Sequence, residues 1–467
     1  MIQESPKSEI MYRIVIVLIT MNICLVSASD AQEHGDHTHL PVNYNLETEK
    51  SADHEPVEAD KDGYYWWKGN LHTHTLWSDG DQFPEVVTQW YYKHGYHFLA
   101  ISDHNILLRG DKWIDPEDNP YTDQAGDKEV YELYLERFGE DWVETRSTSE
   151  GNKEVRLKPL NEFRSLFEEA GRFLLIDSEE ITETDYQVHV NATNILELIE
   201  PVTGKDVEET IQKNIEAVKK QRRETGRKMI ANLNHPNWQH AITAEAMAPV
   251  EELQFFEVYN GHRGTFNFGD DREKGVKNLG RLWDIVLTKR IGELDLGLIY
   301  GIAADDAHHY EGSEQEVAEP GRGWVRVRSQ FLTPESIVGA LEDGEFYASS
   351  GVAIQSVKKQ EDSYQVKVDS EDDVDYKIKF IGTREGYDDS RKYFTDENDK
   401  KLSNRTMNYS NDIGEILKEV DGTNATYEFE GDELYVRAKV VSSKYKENYF
   451  EEGEREKAWT QPVLENR

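Results

Sequence analysis

The stretch G-N-L-H-T-H-T-L-W-S-D-G at residues 69–80 ends an apolar, strand-like run with two histidines and an aspartate. Because His72 and His74 are two residues apart in an extended segment, their side chains point to one face and one metal ion can bind both. Ser78 and Gly80 predict a turn that returns the carboxylate of Asp79 toward the same face. A single His-x-His pair is frequent by chance, and an exposed strand end is the alternative interpretation.

Four further apolar runs end in residues of the same chemical type. The motifs are I-S-D-H-N at 101–105, E-E-I-T at 179–182 followed by H-V-N at 189–191, N-H-P-N-W at 234–238, and A-D-D-A-H-H at 304–309. Each motif alone is more typical of a structural role, such as a buried hydrogen-bonded group, than of a catalytic one. Five strand ends that all carry metal-ligand residues predict a multi-metal hydrolytic site.

Strand alternation separates ligand candidates from their neighbours. It favours Glu180 over Glu179, which points to the opposite side, and it places Asp306 and His308 on one face with His309 elsewhere. A buried carboxylate without a cation is energetically costly, which supports a metal beside Glu180.

Two ligand candidates occupy the strand ends at 101–105 and 234–238. His104 can bind a metal, whereas Asp103 either orients an imidazole or makes a structural hydrogen bond. His235 precedes Pro236, which ends its strand. A further ligand candidate, His189, lies on what reads as the strand after Glu180.

Short strands alternate with helices from residue 63 to residue 352, which predicts a mainly parallel sheet. A closed β/α barrel accommodates a segment of this length better than an open sheet, and its functional face lies at the carboxyl ends of the strands. The predicted strands are 64–71, 97–101, 173–176, 229–232, 255–259, 298–303 and 324–327. The predicted helices are 84–94, 160–170, 207–225 and 334–342.

The remaining segments have other compositions. Residues 353–467 contain alternating strands and almost no helical periodicity, which predicts a small β-sandwich domain. The acidic stretch 107–158 predicts an insertion over one barrel mouth. Residues 1–28 are typical of a signal peptide and 29–62 of a disordered acidic linker. We therefore expect a secreted or periplasmic protein with no stable membrane span after cleavage, and an uncleaved N-terminal anchor is the alternative.

Charge and cysteine content restrict the function further. The chain has 467 residues, with 53 Lys and Arg against 92 Asp and Glu, and a formal net charge of -39. So acidic a surface repels phosphate backbones, which disfavours nucleic-acid binding. The single cysteine, Cys24, lies in the predicted signal peptide, so metal binding must use His and carboxylate side chains.

The ordered set His-x-His…Asp, Asp-His, Glu, His, His-Pro and Asp-x-His resembles the PHP family (polymerase and histidinol phosphatase domain) over residues 66–352. The resemblance implies a distorted seven-stranded TIM-like barrel and a site for two or three divalent ions (zinc, manganese or iron) that hydrolyses phosphate esters. It implies these ligand sets: His72, His74, Glu180 and Asp306 for one ion; Glu180, His189 and His235 for a second; Asp79, His104 and His308 for a third. Asp79 stands where some family members carry a histidine.

A metal-activated water needs no side-chain nucleophile. With the phosphoesterase activity that the resemblance implies, the expected reaction is hydrolysis of a small, phosphorylated molecule. Besides the ligands, Asp103 and Arg322 are the candidates for a catalytic role. Further candidates for a phosphate clamp are Arg326, His262 and Arg263, and surface salt bridges are the alternative for them. Trp77 and Trp238 are candidates for pocket walls, with core packing as the alternative. Two other functions stay open: hydrolysis of an amide, lactone or glycan-related bond, and a surface-binding module that uses residues 353–467.

Overall fold

A computed structural model describes residues 58–116, 130–270, 273, 275–310 and 318–465 of the chain. The predicted signal peptide, most of the predicted linker and part of the 107–158 insertion lie outside these ranges. The described residues belong to one compact unit, Glu49–Arg467. No helix within them combines the length and the apolar composition that a bilayer crossing requires.

Helix ends follow local sequence signals. Asp206 accepts a hydrogen bond from the Glu209 backbone N–H at the start of α4 (Val207–Thr225), and Gly226 ends that helix with a φ of 71°. Thr333 caps α7 (Pro334–Glu342), whose first residue is a proline. The helices are α1 (Pro84–Lys93), α2 (Val130–Phe138), α3 (Leu160–Phe167), α4 (Val207–Thr225), α5 (Ala244–Met247), α6 (Leu279–Gly292) and α7 (Pro334–Glu342).

Strands occupy the predicted positions in the first 350 residues and add several that the sequence pattern missed. They are β1 (Tyr65–Asn70), β2 (Phe98–Ile101), β3 (Lys112–Ile114), β4 (Thr145–Ser147), β5 (Lys153–Leu157), β6 (Leu174–Glu183), β7 (Val188–Thr193), β8 (Ile230–Leu233), β9 (Phe255–Asn260), β10 (Tyr300–Ala304), β11 (Trp324–Ser329), β12 (Phe346–Ser349), β13 (Ile354–Lys359), β14 (Ser363–Val368), β15 (Tyr376–Arg384), β16 (Arg391–Lys392), β17 (Asn408–Tyr409), β18 (Glu415–Asp421), β19 (Asn424–Glu428), β20 (Glu433–Tyr445) and β21 (Arg455–Thr460).

The main sheet is mixed rather than mainly parallel. Its strand order is β10-β9-β8-β7-β6-β2-β1-β11-β12-β21-β20-β15-β18. Strands β1, β2 and β6 run parallel, as do β8, β9 and β10, but β7 is antiparallel to both of its neighbours. The prediction of a mainly parallel sheet fails at β7 because only residues 184–187 separate it from β6, and so short a connection permits only a hairpin.

The segments that follow β1 and β10, two strands that are far apart in the strand order, contact each other. Thr73, just after β1, forms a parallel bridge with Ala307, just after β10. The Asp306 backbone N–H donates to the His72 carbonyl at 3.0 Å, and the His74 N–H donates to the Ala307 carbonyl at 3.0 Å. This contact brings the carboxyl ends of β1 and β10 together, where four of the predicted ligands lie.

The C-terminal strands continue the main sheet across the predicted boundary at residue 352, since β12 pairs with β21. A separate sheet of β13, β14 and β19 faces β15 and β20 through a shared apolar core. In that core Phe380 on β15 lies between Tyr364 on β14 and Tyr427 on β19, with ring centroids 6.1 and 5.7 Å away. The domain boundary and the β-sandwich stay predictions.

The described part of the 107–158 insertion folds into α2 and a small sheet in the order β3-β5-β4. It docks on α1 through Glu85, which accepts hydrogen bonds from the Tyr134 hydroxyl at 2.8 Å and the Trp142 indole at 2.9 Å. Burial raises the pKa of Glu85 to about 7, against the opposing effect of these two hydrogen bonds.

Candidate metal centre

The predicted ligand residues converge at the carboxyl ends of the strands around the contact between Thr73 and Ala307. They are buried or half-buried, and they form four overlapping groups in which the ligand atoms all lie within 4.8 Å of one another. The groups are His72, His74 and Asp306; His72, Glu180 and His235; His104, Glu180 and His189; and His74, Asp79, His104 and His308. All nine predicted ligands belong to at least one group.

The first group has the spacing that a metal ion imposes on its ligands. Nε2 of His72, Nε2 of His74 and Oδ1 of Asp306 are each 3.1 Å from the other two. A tetrahedral ion with bonds of about 2.0–2.1 Å separates its ligand atoms by about 3.3 Å. Burial, with His308 and His104 nearby, lowers the pKa of His74 to about 3, so its imidazole is neutral and retains a lone pair for a cation.

Glu180 is the carboxylate that the groups share. Its Oε1 lies 3.1 Å from Nδ1 of His189 and 3.4 Å from Nε2 of His235, and its Oε2 lies 3.5 Å from Nε2 of His72. Burial opposes the ionisation of Glu180, but the surrounding histidines outweigh it and hold the pKa of this carboxyl well below its usual range. Oε2 is buried and also lies 2.7 Å from Nδ1 of His104, so imidazole nitrogens surround the position that a cation would share with this carboxylate.

A fourth group surrounds Asp79 at the outer side of the cluster. Oδ1 of Asp79 is 3.5 Å from Nδ1 of His74 and 3.5 Å from Nε2 of His308, and Oδ2 is 3.3 Å from Nε2 of His104. The resemblance implied only the last two histidines as partners of Asp79. In the structure His74 faces this group with Nδ1 and the first group with Nε2.

Three residues that the sequence analysis did not select hold the ligands in place. Glu257, in the apolar strand β9, accepts from the His235 backbone N–H at 2.9 Å and lies 2.7 Å from Nδ1 of His72. The Asn260 side-chain amide donates to Glu257 at 2.7 Å and to Asp306 at 3.1 Å. Asn234 donates to Glu180 at 2.8 Å. The sequence feature that could have identified Glu257 is a single carboxylate within an apolar run.

Asp103 contacts the loop after β1 rather than an imidazole. Its carboxylate accepts from the backbone N–H and the hydroxyl of Thr75, both at 2.8 Å, and from the Ser78 hydroxyl at 2.5 Å. Burial raises its pKa to about 6. Of the two roles expected for Asp103, the structure supports the structural hydrogen bond, which fixes the loop that carries Asp79.

Arg322 is buried behind the cluster and is not among the side chains that line the cavity. Its guanidinium donates to the Gly261 carbonyl at 3.0 Å, to Glu319 at 3.0 Å and to Asn448 at 2.8 Å. A direct contact with substrate, which the sequence suggested, has no support in this arrangement, because burial and these hydrogen bonds keep the guanidinium outside the cavity.

The ligand groups open into a cavity of about 210 Å³. Its described lining contains three side chains outside the predicted ligand set, and these are Trp238, His262 and His309. Trp238 is therefore a pocket wall, as one of the two sequence interpretations had it, whereas Trp77 is buried in the core and donates to the Lys158 carbonyl at 3.3 Å. Arg263 and Arg326 do not contribute to the described lining.

Comparisons with known proteins found distant structural similarities and no match to a family model or curated protein. A two-domain protein from Bacteroides vulgatus ATCC 8482, named as containing a predicted PHP-like metal-dependent phosphoesterase, is 16% identical, with a TM-score of 0.37 over 83% of this chain and 93% of its own. A candidate metal-dependent phosphoesterase from Bifidobacterium adolescentis ATCC 15703 is 14% identical, with a TM-score of 0.25 over 54% of this chain and 92% of its own. The name of the first neighbour includes the PHP-like family that the sequence motifs resemble.

Proposed function

We propose that the protein is a hydrolase with two or three divalent metal ions that cleaves a phosphate ester of a small molecule. The observation that supports this function is the convergence of nine His and carboxylate side chains, from five separate motifs, into overlapping groups at one cavity. Six imidazoles and three carboxylates suit zinc, manganese or iron.

In the proposed reaction, the His and carboxylate side chains bind the metal ions or orient the residues that do. Divalent ions would supply Lewis acidity and a bound water of lowered pKa near neutral pH. Glu180 would bridge two positions, with His72 and His74 on one side and His189 and His235 on the other. Glu257 keeps the His72 imidazole oriented.

We also infer that β1, β2 and β6–β10 form the seven-stranded, TIM-like barrel that the family resemblance implies, with β7 in place of the predicted strand 324–327. The bridge from Thr73 to Ala307, which joins the outer members of this set, supports closure.

Secretion or periplasmic export is proposed from the signal-like N-terminus alone. Sequencing the N-terminus of protein recovered from the periplasm and the medium tests it, and an intact N-terminus would favour the membrane anchor.

Metal content and activity on the same preparation test the function. The purified protein should contain two or three divalent ions per chain by elemental analysis, and it should release phosphate from phosphomonoesters or phosphodiesters. Chelation should abolish the activity, and zinc, manganese or iron should restore it. Protein that binds no metal and stays inert with every divalent ion would contradict the proposal.

Hydrolysis of a non-phosphate bond is the second candidate. The described cavity lining contains no Lys or Arg, the cations that commonly clamp phosphate. A neutral amide, lactone or glycan-related substrate fits such a wall at least as well. Inorganic phosphate should inhibit a phosphoesterase competitively, so activity on a neutral substrate with no sensitivity to phosphate would favour this second function.

A further inference from the structure

The cavity wall contains one histidine whose hydrogen bonding fixes which ring nitrogen carries the proton. His262 lines the cavity, with its ring centroid 5.7 Å from that of His308 and 5.2 Å from that of Trp238. The Gly264 backbone N–H donates to Nδ1 of His262 at 3.0 Å. Because a backbone N–H can only donate, Nδ1 is an acceptor and the proton of the neutral ring is on Nε2.

The same hydrogen bond requires a neutral ring, because a protonated imidazole carries a hydrogen on both nitrogens and has no acceptor for the Gly264 N–H. The side chain is therefore a hydrogen-bond donor that adds no charge to the site.

The backbone around His262 is held on both sides. The His262 N–H donates to Oδ1 of Asn260 at 2.8 Å, and the same amide group donates to Asp306 through Nδ2. Arg322 donates to the carbonyl of Gly261 at 3.0 Å, directly before the histidine. A side chain at Gly264 would come within 2.5 Å of the Trp238 ring, so the residue that fixes the tautomer needs to be glycine.

We infer that His262 is a further catalytic residue, whose Nε2–H donates a hydrogen bond to a substrate oxygen bound beside the His308 and Asp306 ligands. On the proposed function, this oxygen belongs to the phosphoryl group. A preorganised donor at such a position stabilises the charge that develops on oxygen in the transition state. The inference also gives the site a donor that does not depend on Lys or Arg.

Inorganic phosphate binding to the metal-loaded protein tests this inference, with His262→Phe and His262→Gln as the variants. Phenylalanine preserves a ring beside Trp238 but cannot donate, whereas the glutamine amide can place a donor near the Nε2 position. We expect His262→Phe to weaken phosphate binding roughly 10- to 100-fold, as for a lost hydrogen bond to a charged group, and His262→Gln to retain most of it. The exposed His94→Phe is the matched control.

A second readout needs neither activity nor bound phosphate. Long-range ¹H–¹⁵N spectra of the imidazoles should give His262 a protonated Nε2 and an unprotonated Nδ1 at neutral pH. The opposite tautomer, or phosphate affinity unchanged in His262→Phe, would overturn the inference and leave the proposed function intact. Wild-type protein that neither binds phosphate nor hydrolyses phosphate esters would overturn both.

Discussion

Oε1 of Glu257 lies 2.7 Å from Nδ1 of His72, and both side chains are completely buried. The contact leaves Nε2 of His72 to face His74, Asp306 and Glu180. A carboxylate in this position fixes the tautomer of a ligating imidazole and raises its basicity. Glu257 therefore sets the direction in which His72 offers its lone pair.

Replacement of Glu257 by glutamine should weaken metal binding by about 10- to 100-fold, because an amide orients the His72 ring less strongly than a carboxylate. Competition with a chromogenic chelator measures the affinity. Glu252→Gln, an exposed change five residues earlier in the chain, is the control. Equal metal affinity in the Glu257 variant and wild type would show that Glu257 does not orient a ligand.

Replacement of the two adjacent glutamates in β6 by glutamine should affect the metal content differently. Glu180→Gln removes the shared carboxylate and should lower the metal content by at least one ion per chain and abolish hydrolysis. Glu179 points the other way and accepts from the Ile199 backbone N–H at 2.7 Å, a hydrogen bond that glutamine can keep. Glu179→Gln should retain wild-type metal content, and elemental analysis of both variants compares them. Loss of metal in Glu179→Gln alone would contradict the assignment.

The connection between β20 and β21, residues 446–454, should position the cavity wall. Asn448 accepts from Arg322 at 2.8 Å and donates to the Pro320 carbonyl at 2.7 Å, and the Tyr449 carbonyl accepts from Arg263 at 3.2 Å. We expect Asn448→Ala to lower kcat/KM several-fold and to change the visible spectrum of the Co(II)-substituted protein, because residues 320–322 and the segment that carries His262 lose support. Asn424→Ala, on the exposed side of β19, should change neither quantity.

The stability of the protein should depend on pH through Glu85. Its pKa is about 7 in the folded state, against about 4.5 when unfolded. Between these values the unfolded carboxyl ionises while the folded one stays protonated, so the free energy of unfolding falls as pH rises from about 4.5 to about 7. Glu85→Gln can still accept from Tyr134 and Trp142 and should remove this contribution, which has a slope of about 1.4 kcal/mol per pH unit at most. Urea unfolding of both proteins from pH 5 to pH 8 measures the difference, and parallel pH profiles would contradict it.

Local sequence patterns predicted the helices with caps and a polar side, such as α4 and α7. They missed α6, because buried side chains such as Leu282, Trp283, Ile285 and Val286 follow one another around this helix and leave no amphipathic period. They also predicted β7 as a strand without its direction, which depends on its pairing with β6 and β8.

The sequence by itself determined the nine ligand candidates, because imidazoles and carboxylates at strand ends follow from residue type and the two-residue period of a strand. It also separated Glu180 from Glu179 by that period. Only the tertiary structure decided that Glu257 and Asn260 support the ligands, that His74 faces two groups, and that Arg322 is held by Asn448 rather than exposed to the cavity. These relationships join residues that are distant along the chain, and hydrogen-bond partners of this kind are set by how the strands and loops pack, which no local pattern records.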